Sequence, residues 1–358
     1  MKRRITALVL AVLLALSLSA CIAGTDQDGA SVSELALVTD VGTIDDRSFN
    51  QGAWEGLVEF AQARDVSYMY WRPAGASDAA YLDAIEQAVE AGARLIVTPG
   101  FLFEVAVYNA ATLHPDTKFV LLDGVPHAGD WVGSVGPNVV SVLYAEEQAG
   151  FLAGYAAVMD GFTQLGFIGG MAVPAVVRFG YGFLQGAEYA AAALGIDSIY
   201  VNYFYTGNFI PTPETQLMAA SWFNAGTEVI FAAAGGAGGS VMAAAEANDG
   251  LVIGVDLDQS YESPTVITSA MKGLGASVYA IIYDYFAGNF PGGEIQIFDA
   301  SNNGVGLPME TSQFRAFTVE QYEAIFARLA AGEIDVIDDH TITFEELGLN
   351  IVNVTSFN

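Results

Sequence analysis

A single cysteine, Cys21, stands among 358 residues, which excludes an intrachain disulfide and any zinc site built on thiolates. The three histidines, His114, His127 and His340, lie far apart and show no HExxH or similar spacing. No metal and no cofactor is therefore expected. Positive charge is equally scarce, with 12 Lys and Arg against 41 Asp and Glu and a formal net charge of −29. Three of those cations, Lys2, Arg3 and Arg4, fall in the first four residues. The rest of the chain is repelled by phosphate backbones and by anionic lipid, so nucleic acid is excluded as a partner. No apolar run reaches the ~20 residues of a transmembrane helix. What the chain does have is apolar residues, 53% against 15% charged, which rules out a disordered or fibrous protein. At roughly 100–200 residues per domain, the length suggests two domains.

The amino terminus reads as an address. Lys2-Arg3-Arg4, an apolar run from Ile5 to Leu16 and the small residues Ser17-Leu18-Ser19-Ala20 describe a secretory signal peptide over residues 1–20. Cys21 follows directly, and Leu18-Ser19-Ala20-Cys21 resembles a bacterial lipobox. The resemblance implies cleavage before Cys21 and lipidation of its thiol and amine. Residues 21–33 are small and polar, as a flexible tether is. The body is expected on the periplasmic or outer face of the cell membrane, touching it through the lipid anchor only.

From Glu34 onward, apolar runs of strand length alternate with amphipathic helical stretches. Strands are expected at 35–39, 66–70, 95–98, 119–122, 164–168, 198–203, 229–232, 252–255 and 266–269. Helices are expected at 52–63, 79–90, 145–159, 183–194, 212–224, 239–247 and 276–287. This order predicts an α/β protein with parallel sheets covered on both faces. The strands are too many for one sheet, which favours two Rossmann-like lobes. Ligands of such sheets bind beyond the carboxyl ends of the strands. Asp40, Asp123, Gly169-Gly170, Gly235-Gly236 and Asp256 stand at those ends. Carboxylates facing a cleft accept directional O–H and N–H donors, although an acid at a strand end also serves as a helix cap.

The segment Leu37-Val38-Thr39-Asp40-Val41-Gly42-Thr43-Ile44-Asp45-Asp46-Arg47-Ser48-Phe49-Asn50-Gln51 closely resembles the opening motif of the basic membrane protein family, the PnrA-like lipoproteins that bind purine nucleosides for ABC transporters. Arg178-Phe179-Gly180-Tyr181-Gly182-Phe183, Gly207-Asn208-Phe209, Ile253-Gly254-Val255-Asp256 and Thr268-Ser269-Ala270-Met271-Lys272 agree with it in order. The resemblance implies a type I periplasmic-binding-protein fold with three crossovers, acting as a monomeric receptor that hands its ligand to a permease. It implies that Asp40 bonds the purine, that Phe49 stacks on it, and that Asn50 is their polar neighbour. Asp123 would be a strand-end acid of the first lobe and Phe209 an aromatic of the second. At Gly235 the backbone would approach the ligand, and Asp256 and Lys272 would engage the ribose hydroxyls. The first lobe is expected at 34–140 plus 260–290 and the second at 141–259 plus 291–358. Crossovers are expected near Pro137–Val142, Ser260–Pro264 and Asn289–Gly293, where Pro, Gly and Ser cluster.

Competing readings stay open at this point. Asp45, Asp46 and Ser48 suit helix capping as well as a site. Arg178 reaches either the cleft or a surface acid, and Tyr203-Phe204-Tyr205 rivals Phe209 as the second stacking face. Trp54, Trp71, Trp131 and Trp222 read as packing residues. A receptor of the same fold for a sugar or another solute, or one that signals, shares the same pattern. A nucleoside hydrolase does not fit, because Val38 stands where its Ca2+-binding cluster needs an Asp. The chain is thus not expected to be an enzyme. Lipidation has a direct test: Cys21→Ser should move the protein from the detergent phase to the soluble fraction, and equal partitioning of the two proteins would remove the lipobox reading.

Overall fold

The computed structural model describes residues 33–357; the expected signal peptide, Cys21 and the expected tether up to Val32 lie outside the described residues. Two sheets organise the rest. The first has the strand order β11-β5-β4-β3-β1-β2, from β1 (Leu35–Val38), β2 (Tyr68–Trp71), β3 (Leu95–Pro99), β4 (Lys118–Leu122), β5 (Val139–Tyr144) and β11 (Ile295–Phe298). The second has the order β12-β10-β9-β8-β6-β7-β13. Its strands are β6 (Gln164–Gly169), β7 (Ile199–Tyr205), β8 (Val229–Ala233), β9 (Leu251–Asp256), β10 (Val266–Lys272), β12 (Val305–Gly306) and β13 (Val352–Ser356). Every described pairing is parallel except β10 with β12. β1, β3 and β8 are buried at every residue, which is why they read as unbroken apolar runs rather than alternating ones.

Helices cover both faces. In the first lobe they are α1 (Phe49–Arg64), α2 (Asp78–Glu90), α3 (Glu104–Leu113) and α8 (Leu274–Phe286). In the second they are α4 (Glu146–Met159), α5 (Pro174–Leu194), α6 (Pro213–Asn224), α7 (Gly238–Ala247) and α9 (Val319–Ala330). Their starts follow local chemistry. Ser77 and Thr212 cap α2 and α6 through their hydroxyls, Thr318 and Gln321 form a capping box on α9, and Pro174 occupies the first turn of α5. α3 and α9 were not expected from the pattern, and α5 begins nine residues before its expected start at Phe183. Glycines interrupt the apolar face of α5 and mask its period.

The lobe boundaries require correction. Residues 266–272, expected in the first lobe, pair with β9 in the second sheet. Residues 295–298, expected in the second lobe, pair with β5 in the first. The stretch Pro137–Val142, expected as a crossover, mostly forms β5 inside the first sheet. The chain passes between sheets three times, but at Ala145, Gly273 and Asp299. Pro, Gly and Ser marked loops on the lobe surface, whereas the true crossings are single residues between well-formed elements. The carboxyl terminus also forms regular structure, since β13 adds a parallel strand beside β7.

α4 and α5 pack backbone to backbone. A Cβ at Gly150 or Gly154 would run into the carbonyl oxygen of Phe179 or Phe183, and one at Gly182 or Gly186 into that of Glu147 or Phe151. Each helix thus offers glycines four apart to the other, and no side chain fits between them. Overpacking a core costs about 1–3 kcal/mol, and here rigid backbone must move. Gly154→Ala should therefore destabilise the fold by about 2–3 kcal/mol. Gly75→Ala, where nothing lies within 4 Å of the added methyl, should stay within about 0.5 kcal/mol of the parent. Denaturant titration of both variants checks the pair.

Candidate ligand-binding cleft

Both sheets reverse their strand order at one point. In the first sheet the reversal lies between β1 and β3, and in the second between β6 and β8. Chains leaving these neighbouring strands diverge to opposite faces, which opens a crevice beyond their carboxyl ends. One cavity spans both crevices. It is lined by Asp40 after β1, Gly100 and Phe101 after β3, Met171 and Val173 after β6, and Gly235 after β8, and measures about 770 Å3 with its open mouth. All eight residues singled out by the sequence, Asp40, Phe49, Asn50, Asp123, Phe209, Gly235, Asp256 and Lys272, line this one space.

At one end, a network of side chains fixes Asp40. Its Oδ1 accepts from Gly42 N–H at 2.7 Å and from Asn50 Nδ2 at 2.9 Å. Its Oδ2 has no protein partner among the described residues. Asn50 Nδ2 also donates to Asp46 Oδ2 at 2.8 Å, while Asn50 Oδ1 accepts the Asp40 N–H at 3.2 Å. The Asn50 amide is therefore spent on Asp40 and Asp46. Asp46 takes the Ser48 and Gln51 N–H groups on Oδ1 and the Asn50 N–H on Oδ2. It caps α1 and lines the cavity at once, so the two readings of Asp46 coexist. A side chain on Gly42 would collide with Asn50 Nδ2, which explains that glycine. Burial pushes the Asp40 carboxyl up to about 6, against the bonds from Gly42 and Asn50.

The other end is a buried charge cluster. Lys272 Nζ lies 2.5 Å from Asp123 Oδ2 and 2.8 Å from Glu146 Oε1, with the rings of Phe49, Tyr144 and Phe179 at 4.8, 5.2 and 5.3 Å. Arg178 Nε bonds Glu146 Oε2 at 2.6 Å, so Arg178 pairs with a buried acid and not with a surface one. Burial opposes the charge on Lys272, but Asp123, Glu146 and Asp256 outweigh it and keep the ammonium protonated. Burial likewise opposes ionisation of Glu146, and Arg178 with Lys272 overrides it, holding the carboxyl down at about 2. Burial lifts Asp123 to about 7 despite Lys272. Asp123 Oδ1 is buried without a hydrogen-bond partner among the described residues, an acceptor left for something they do not supply. Asp256 is also raised by burial, eased by Lys272 and by Ser48, whose hydroxyl donates to Oδ2 at 2.5 Å. Ser48 thus bonds across the lobes and does not cap α1. Asp123 and Asp256 adopt left-handed backbone, φ 55° and 66°, a conformation Asp tolerates better than most residues.

Two aromatic rings come from opposite lobes, Phe49 at the start of α1 and Phe209 from the loop before α6. A side chain on Gly170 would strike the Phe209 ring, so that glycine makes its seat. Tyr203 is instead a core residue, stacked on Phe167 at 4.4 Å, and none of Tyr203, Phe204 and Tyr205 lines the cavity. Trp131 corrects the packing expectation. It is 73% exposed and stacks on the cavity residue Phe101 with centroids 6.0 Å apart. Sequence reasoning missed Phe101, Phe179 and Glu146 as site residues. Glu146 lies two residues past the end of β5, so recognising that strand would have placed an acid at its end like those at the ends of β1, β4 and β9.

A family model described as "ABC transporter substrate-binding protein PnrA-like" matches residues 33–339. The chain belongs to that family. It is 31% identical to the ABC transporter nucleoside-binding protein BmpA of Lactococcus lactis subsp. cremoris, with 94% of this chain and 98% of the relative covered. It is also 31% identical to basic membrane protein B of Borreliella burgdorferi, over 77% and 80% of the two chains. Among solved structures, an ABC transporter solute-binding protein from Aeropyrum pernix superposes with a TM-score of 0.73 at 25% identity, covering 88% of this chain and 95% of that one. One from Conexibacter woesei gives 0.68 at 24% identity, covering 86% and 99%, and shares the fold. The expected α/β periplasmic-binding-protein fold is therefore observed. This chain is a substrate-binding protein of an ABC transporter and not an enzyme. Such proteins bind a small molecule outside the cytoplasm and deliver it to a permease, and no helix among the described residues is long and apolar enough to cross a membrane.

The charge cluster links this receptor's stability to pH. Glu147, beside the cluster and 7% exposed, is pushed up to about 8 by burial and then by Glu146. Its folded value lies above its unfolded one, so stability is lost as pH rises from about 4.5 to about 8. Glu147→Gln abolishes that titration. It should leave Tm almost unchanged at pH 5 and raise it by a few degrees at pH 8.5; the same shift at both values would contradict the assignment.

Proposed function

We propose that this receptor captures purine nucleosides in the cleft, as a lipid-anchored monomer outside the cytoplasmic membrane, and passes them to its permease. The observation that carries the reading is an aromatic ring from each lobe on the walls of one cavity, with unpaired carboxylate oxygens at both of its ends. Two ring faces suit a flat base, which stacks favourably on aromatics. Asp40 Oδ2 suits an N–H at the base edge. Asp123 Oδ1 and Asp256 suit the hydroxyls of a ribose, since carboxylates accept O–H donors strongly. Beyond Asp256 and Lys272 the second-lobe wall is apolar, with Met171, Val173, Val176, Ala233, Gly235 and Gly236 among its residues, which offers little to the ring of a hexose. The nucleoside-binding name of the Lactococcus lactis relative agrees with this.

Lys272 holds the cluster together in this reading, and its removal would strand two buried carboxylates at a cost of about 3–5 kcal/mol. Asp256 is the better probe of the sugar end. A hydrogen bond to a charged group contributes about 1.5–3 kcal/mol, so Asp256→Ala should weaken nucleoside binding about tenfold to a hundredfold. Calorimetry on protein stripped of carried-over ligand should find guanosine or inosine at least as tight as adenosine, with cytidine and uridine weaker. Ribose and glucose should give no measurable heat. Tight binding of a hexose with no response to any nucleoside would end the proposal.

A further inference from the structure

A second cavity adjoins the first and shares Gly42, Asp46, Phe209, Gly235 and Gly236 with it. Its remaining walls include Thr43, Arg72, Ile210, Pro211, Gly239 and Met242, and it opens to solvent. The shared residues decide which end of the ligand it meets. Asp46 and Gly42 belong to the network that fixes Asp40, and Phe209 is an aromatic wall. None of Asp123, Lys272 and Asp256 lines this vestibule. It therefore lies off the base end of the cleft, while the sugar end is closed by the charge cluster. The vestibule wall also leaves apolar surface uncovered: Ile210 is 60% exposed, and Pro211 beside it is exposed as well. The Arg47 charge there is already taken by Glu262 at 2.5 Å.

We infer that the cleft accepts purine nucleosides enlarged at the six-membered ring, with an apolar substituent on the exocyclic nitrogen lying in this vestibule. The inference rests on the nucleoside reading above. A monoalkylated amine keeps one N–H for Asp40 Oδ2, so the substituent costs no hydrogen bond at the base edge. An alkyl or aryl group would cover Ile210 and Pro211, which suits the removal of apolar surface from water. The same group on the 5′ oxygen has nowhere to go, because it would enter the buried charge cluster.

Calorimetric titration with adenosine, N6-benzyladenosine and 5′-O-benzyladenosine tests the inference. N6-benzyladenosine should bind within tenfold of adenosine, and the 5′ derivative should lose at least a hundredfold. A hundredfold loss for the N6 derivative, with adenosine still bound, would overturn the vestibule inference and leave the nucleoside reading standing. No binding of adenosine at all would overturn both. Filling the space supplies an independent arm. Gly239 has nothing within 4 Å of an added Cβ and lines only the vestibule, so Gly239→Phe should weaken N6-benzyladenosine at least tenfold and change adenosine less than threefold. An equal effect on both ligands, or none on either, would count against the inference.

Discussion

The ammonium of Lys272 is the contact on which the cleft depends. It ends a strand of the second sheet and sits between Asp123 of the first lobe and Glu146, the first residue of α4. Both chain crossings nearest to it, Ala145 and Gly273, adjoin residues of this cluster. An isolated buried ammonium would lose its charge, and isolated buried carboxylates would stay protonated. Together they keep the cation and Glu146 ionised at the point where the lobes meet. Because that arrangement is fully desolvated, removing any one partner strands the others.

Around that anchor, acids outnumber cations. Asp123, Glu146, Glu147 and Asp256 share Lys272 and Arg178, and burial holds three of the four carboxyls above their ordinary range. A cluster with surplus acceptors has an open demand for donors. The unpartnered Oδ1 of Asp123 is its clearest expression, and a ligand rich in hydroxyls is one way to satisfy it. The strongly acidic composition seen in the bare sequence thus reappears inside the molecule, where it is arranged rather than merely abundant.

Much of the cleft was legible from the chain because its residues sit at strand ends, and strands of a parallel sheet announce themselves as apolar runs. Asp40, Asp123 and Asp256 could be named from that rule alone, and the ordered motifs supplied Phe49, Phe209 and Lys272. What escaped notice depended on tertiary partners. β5 is an apolar run like the others, yet Pro137 before it and a polar Ser141 within it read as a connection. β11 and β12 are short and take their place from strands far away in sequence. The lobe boundaries failed for the same reason: crossings at Ala145, Gly273 and Asp299 carry no composition signal. Asn50 was legible as a neighbour of the site, but only the geometry shows that its amide is spent on Asp40 and Asp46.

The two lobes repeat one strand order yet equip their equivalent ends differently. At the first reversal point β1 delivers Asp40, braced by Asn50 and Asp46. At the second, β6 and β8 deliver Gly169-Gly170 and Ala233 to Gly236, followed by Met171 and Val173, a wall with no polar side chain. That bareness looks like a lack of recognition groups, but it follows from the ring it must seat. A side chain on Gly170 would strike Phe209, and one on Gly235, at φ +54°, would press on the same ring from 3.4 Å. The second lobe has exchanged polar contacts for a flat apolar face, and the first lobe carries the hydrogen bonds at the same end of the cleft. A flat ligand with donors along one edge meets both surfaces at once. A ligand polar all round meets only one of them, and that asymmetry biases the cleft before any single bond is counted.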